Sequence, residues 1–210
     1  KWSVLLKPGI LVAVMAGCAV AIRRQLMGVN AVLYYGPKIF SEAGFDNPMF
    51  STVLVGLVNF ATTVLAVFII DKVGRKQLIY WGVSGMIICL IAIGTYFATG
   101  GALGNGFMLA FFLAYVFCCA ISISAIVFVL LSEMYPNSIR GRAMSLAGFM
   151  LWVGTYIVGQ LTPVLLEWSQ AGTFFIFAVM CVPYMLIMWK VIPETTGKTL
   201  EEIEEYWTKR

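Results

Sequence analysis

Six long apolar runs, at roughly residues 11–40, 49–70, 78–98, 107–135, 144–167 and 171–191, leave little of this sequence over. At about 1.5 Å per residue, each is long enough to cross a hydrocarbon layer of about 30 Å as a helix. The breaks are short and carry turn and charge signals: Asp46-Asn47-Pro48, Asp71 to Lys76, Gly100-Gly101 with Gly104-Asn105-Gly106, Pro136 to Arg142, and Ser169 to Gly172. The expected fold is an all-α membrane protein, with an antiparallel six-transmembrane-helix bundle over residues 1–191 and a tail over 192–210.

Composition agrees. A mean hydropathy of +0.92, 61% hydrophobic residues, 11% charged residues and no His exclude an ordinary soluble domain. Cys18, Cys89, Cys118, Cys119 and Cys181 all fall in apolar runs without metal-type spacing, so they read as packing residues. No metal, cofactor or nucleic-acid partner is expected. The sequence has no Gly-x-Ser-x-Gly and no P-loop, which leaves an enzyme little to work with. It opens without a short apolar segment and small-residue cleavage site, so no secretory leader is expected.

Charge gives an orientation. Lys1, Lys7, Lys72, Arg75, Lys76, Arg140, Arg142, Lys190, Lys198, Lys209 and Arg210 fall on the side shared by both termini, and Lys38 alone falls on the other. The positive-inside rule then puts both ends in the cytoplasm of a multi-pass protein of the cell membrane. In the tail, Pro193 to Gly197 stops the last span, and Thr199 with Glu202 forms a capping box for a short helix. Glu201, Glu202, Glu204 and Glu205 lie toward its positive end, Lys209 and Arg210 toward its negative end. Leu200, Ile203 and Trp207 share one face, which predicts an amphipathic helix lying under the bundle.

The first run contains the most unusual stretch. Residues 23–36, from Arg23-Arg24-Gln25 through Gly28 and Asn30 to Tyr34-Tyr35, place polar side chains deep within a span. Such groups are costly in hydrocarbon and mark a functional site. Gly28 in their midst is where the helix can loosen, a feature of transporter substrate sites.

Four segments together carry a resemblance. They are Gly28-Val-Asn-Ala-Val-Leu-Tyr-Tyr35, Asp71-Lys-Val-Gly-Arg75-Lys76, Glu133 through Arg142, and Pro193 to Gly197. In order and spacing they resemble the sugar porters of the major facilitator superfamily, in particular the C-terminal half of bacterial xylose-proton symporter-like transporters. The resemblance implies a 3+3 inverted-repeat bundle equivalent to spans seven to twelve, partnered by an N-terminal six-helix half, with the sugar held between the halves. It also implies that Gln25, Asn30, Tyr34 and Asn59 bind sugar hydroxyls. Asp71, Arg75, Glu133, Arg140 and Glu194 would form an ion-pair latch at the cytoplasmic gate, and the first and fourth spans would close by bending at Gly28 and near Pro136.

The match is uneven in the pocket. Arg24 stands where the family has the first of two glutamines, and Phe128 stands where it has a tryptophan. Leu151 precedes Trp152 where related xylose symporters place a sugar-binding glutamine. Tyr34, Tyr35, Phe128 and Trp152 offer either a stacking and gating surface or plain packing. Transport of a monosaccharide or related polyol is therefore the main reading. The alternatives are an anionic substrate such as a sugar acid, with Arg24 as counter-charge, or a half-bundle that has lost transport.

Overall fold

The computed structural model describes residues 5–209, so Lys1 and Arg210 of the charge pattern lie outside it. Among the described residues there is no strand. Six segments are long and apolar enough to cross a membrane: Pro8–Glu42, Pro48–Val73, Arg75–Ala98, Asn105–Met134, Arg140–Trp168 and Gln170–Lys190. A backbone immersed in lipid must satisfy its own hydrogen bonds, and helices do so within one segment.

Two of the six are interrupted. The first divides into α1 (Pro8–Leu26) and α2 (Val29–Glu42) around Met27 and Gly28. The fourth divides into α5 (Asn105–Cys119) and α6 (Ala125–Met134) around a π-helical turn, Ala120–Ser124. The others are continuous: α3 (Pro48–Val73), α4 (Arg75–Ala98), α7 (Arg140–Trp168) and α8 (Gln170–Lys190). The short α9 (Leu200–Thr208) follows them.

α4 packs on α5 and α8, and α1 packs on α7 and α8. Packing is close where α4 meets the π turn. A Cβ on Gly82 would lie 2.2 Å from the Ser122 side chain and 2.8 Å from the Cys118 carbonyl oxygen, so only glycine fits there. α3 is mostly uncovered, with Val53, Leu57, Phe60, Val64 and Phe68 exposed along its length. In water such a stripe would be a liability, whereas against lipid tails it costs nothing.

Pro136 is not a bending point within the fourth span. It lies in the connection between α6 and α7, and its carbonyl accepts from the N–H groups of Ile139 and Arg140 to start α7. The irregularity of that span is the π turn instead, a feature that recurs at functional sites in helices.

The tail helix has the capping box: Glu202 N–H donates to Thr199 Oγ1, and Thr199 N–H donates to Glu202 Oε2 at 2.8 Å. Ile203 and Trp207 are buried against the bundle, with the backbone of Trp207 close over Gly9 at the start of α1. Leu200, expected on the same face, is exposed instead.

Candidate functional site

The polar centre is built on the break in the first span. Gly28 has φ +81°, a left-handed conformation, and a Cβ there would meet the Phe177 ring at 2.6 Å. Both facts require glycine. The break frees backbone groups that hydrocarbon cannot satisfy, and they find partners within the same span and on α5. Gly28 N–H donates to the Gln25 carbonyl at 3.0 Å, Val32 N–H to the Gly28 carbonyl at 2.9 Å, and Tyr115 Oη–H to the Met27 carbonyl at 3.1 Å.

The break brings Gln25 and Asn30 together from opposite sides. Asn30 Nδ2 donates to Gln25 Oε1 at 2.8 Å and reaches Thr155 Oγ1 on α7 at 3.5 Å. Thr155 in turn donates to the Leu151 carbonyl. Gln25 is fully buried and its amide nitrogen has no acceptor among the described residues, while Asn30 is half-buried. Thr155 is the member sequence reasoning did not name; nothing marked it inside an apolar run except a hydroxyl one turn past Leu151.

Arg24 points the other way, toward the π turn. One guanidinium nitrogen, Nη2, lies 3.5 Å from Ser124 Oγ, at the outer limit of a hydrogen bond, and Nε is buried with no acceptor among the described residues. Ser124 Oγ is also 3.4 Å from Cys119 Sγ.

The aromatic residues lie at the surface of the bundle rather than in its core: Tyr34 is 57% exposed, Phe128 42% and Trp152 66%. Tyr35 instead ties α2 to α7, donating to the Gly159 carbonyl at 2.9 Å. Asn59 is half-buried on α3, and the hydrogen bonds of the Gln25–Asn30 cluster do not extend to it.

A second polar region lies at the charged end. Arg75 NH2 is 2.9 Å from both Asp71 Oδ1 and Glu133 Oε1, and Thr195 Oγ1 donates to the other oxygen of Glu133. Glu194 sits over the start of α4. Its carboxylate accepts from the N–H groups of Lys76, Thr195 and Thr196 and from Thr196 Oγ1, where the helix dipole favours negative charge. Lys76 Nζ donates to the Ile192 carbonyl at 2.7 Å, which completes the attachment of the tail to α4. Arg140 stands apart: its Nε and NH2 both donate to the Tyr135 carbonyl. Thus Asp71, Arg75, Glu133 and Glu194 belong to one network with Thr195, Thr196 and Lys76, and Arg140 braces the α6–α7 connection.

Comparison with known proteins fits this architecture. Residues 1–207 match the family described as "Sugar (and other) transporter". The arabinose-proton symporter of Bacillus subtilis is 40% identical over 213 aligned residues, covering 99% of this chain and 45% of that protein. The D-xylose-proton symporter of Escherichia coli is 39% identical, covering 92% of this chain and 41% of that protein. A solved inward-open structure of the xylose transporter XylE from E. coli superimposes with a TM-score of 0.84 at 36% identity, covering 94% of this chain and 42% of that one. The chain thus spans a little under half the length of these relatives. With a family match over nearly every residue and the shared helical fold, it belongs to the sugar porters of the major facilitator superfamily.

Proposed function

We propose that this bundle is the C-terminal half of a sugar transporter. It pairs with an N-terminal six-helix half and moves a monosaccharide or related sugar by alternating access. The observation that carries this reading is the broken first span, whose two amides meet at the break beside a hydroxyl from α7. Amides are suited to sugar because each offers both donors and an acceptor. Gln25, Asn30 and Asn59 supply polar contacts, and Tyr34, Phe128 and Trp152 supply exposed aromatic surface for the apolar faces of the ring. Gly28 is the hinge about which α2 swings relative to α1.

The charged end is the gate. With both termini in the cytoplasm of a cell-membrane protein, Arg75, Asp71, Glu133 and Glu194 hold α3, α4, α6 and the tail together in one state, and their ion pairs separate in the other. In this scheme Arg140 supports the α6–α7 connection, which follows Glu133 at the end of α6.

The test is uptake of labelled D-xylose, L-arabinose and D-glucose by the complete polypeptide in liposomes. Saturable uptake abolished by Asn30→Leu is the expected result. Non-saturable uptake of all three, or saturable uptake unaffected by Asn30→Leu, removes the reading.

A further inference from the structure

The two mid-span arginines are not explained by neutral-sugar transport. Arg23 and Arg24 lie near the middle of the Pro8–Glu42 span, both half-buried. All ten acidic residues of the chain lie in loops, in the tail or within the last three residues of a span. None is therefore at a depth to neutralise these cations. A cation at mid-membrane is costly unless it is paired or hydrated. The hydrogen-bonding partner of Arg24 among the described residues is a neutral hydroxyl, Ser124 Oγ, at 3.5 Å, and its Nε has no acceptor among them.

We propose that the solute carries a carboxylate. Arg24, with Arg23 adding positive charge beside it and Ser124 across at the π turn, holds that carboxylate. Asn30 and Thr155, on the other side of the break, take hydroxyl groups. This proposal rests on the transport reading above and narrows its substrate to the sugar acids. Guanidinium and carboxylate match as two parallel charge-assisted hydrogen bonds, and five donors without an acceptor suit an acceptor-only ligand. A neutral sugar in the same place would leave the cation unmatched.

The experiment compares D-glucuronate, its neutral methyl ester and D-glucose as competitors and ligands of the complete polypeptide in liposomes. The expected result is that glucuronate binds at least about tenfold more tightly than either neutral compound, the yield of one net charge-assisted contact. Arg24→Gln reverses that order, and Arg24→Lys keeps only part of it because an ammonium lacks the planar fork. The methyl ester carries the test in unaltered protein should Arg24→Gln fail to fold. Equal binding of acid and ester, or an acid preference unmoved by Arg24→Gln, overturns the proposal. Saturable binding of D-glucose alone overturns it while leaving sugar transport standing. Binding of none of the three, and of neither D-xylose nor L-arabinose, overturns both readings.

Discussion

The charged end and the polar centre handle charge in opposite ways. At the end, Arg75 meets Asp71 and Glu133, and Glu194 is ringed by backbone N–H groups at the start of α4, so the charges are matched within the chain. At the break in the first span, Arg24 meets one distant hydroxyl and Gln25 keeps a buried amide nitrogen without an acceptor among the described residues. A matched network close to water stabilises a particular arrangement of helices. An unmatched one in a membrane interior is costly by itself and is completed by something from outside the chain. On the proposed function, the contrast separates the part that holds a conformation from the part that receives a solute.

The largest effect belongs to the backbone on which the centre is built. Gly28→Val forces a side chain into left-handed geometry, at about 1–2 kcal/mol, and against the Phe177 ring, at about 1–3 kcal/mol for overpacking. A loss of about 2–5 kcal/mol, read as a lower melting temperature together with loss of solute binding, is expected. Unchanged binding would show that the break is not part of the site.

Arg75→Gln comes next. The Arg75 side chain is 12% exposed and that of Glu133 26%. Removing the cation leaves Glu133 half-buried beside Thr195, at a cost of about 1–3 kcal/mol. Adding Glu133→Gln to it recovers part of the loss, because the two act as a pair, and a double-mutant cycle measures that coupling. Strict additivity would mean the pair is incidental. Arg140→Gln has the smallest effect, within about 0.5 kcal/mol, since only hydrogen bonds to the Tyr135 carbonyl are lost. A drop as large as that of Arg75→Gln would put Arg140 into the network after all.

Much of the architecture is written in local sequence. Runs of apolar residues fix the six spans to within a few residues, because span length is set by bilayer thickness. Thr199 and Glu202 announce the tail helix because a capping box is local, and Gly28 announces a loosening because only glycine relaxes the backbone that far. Long-range fit is what local sequence conceals. The π turn has neither Pro nor Gly; it lies against Gly82, a residue forty positions away, with Ser122 Oγ–H turned back onto the Cys118 carbonyl. Pro136 draws attention as a helix breaker yet lies in a connection, where proline is unremarkable. Thr155 meets Asn30 only when α7 is laid beside α2.

The contrast between the two regions has one direct test, the melting temperature of Arg24→Gln measured beside Arg75→Gln in the ligand-free complete protein. Removing an uncompensated cation from mid-span relieves a cost, so Arg24→Gln should raise stability by about 1 kcal/mol, whereas Arg75→Gln lowers it. A fall for both substitutions would mean that Arg24 already has its counter-charge within the protein, and the unmatched centre described here would not exist.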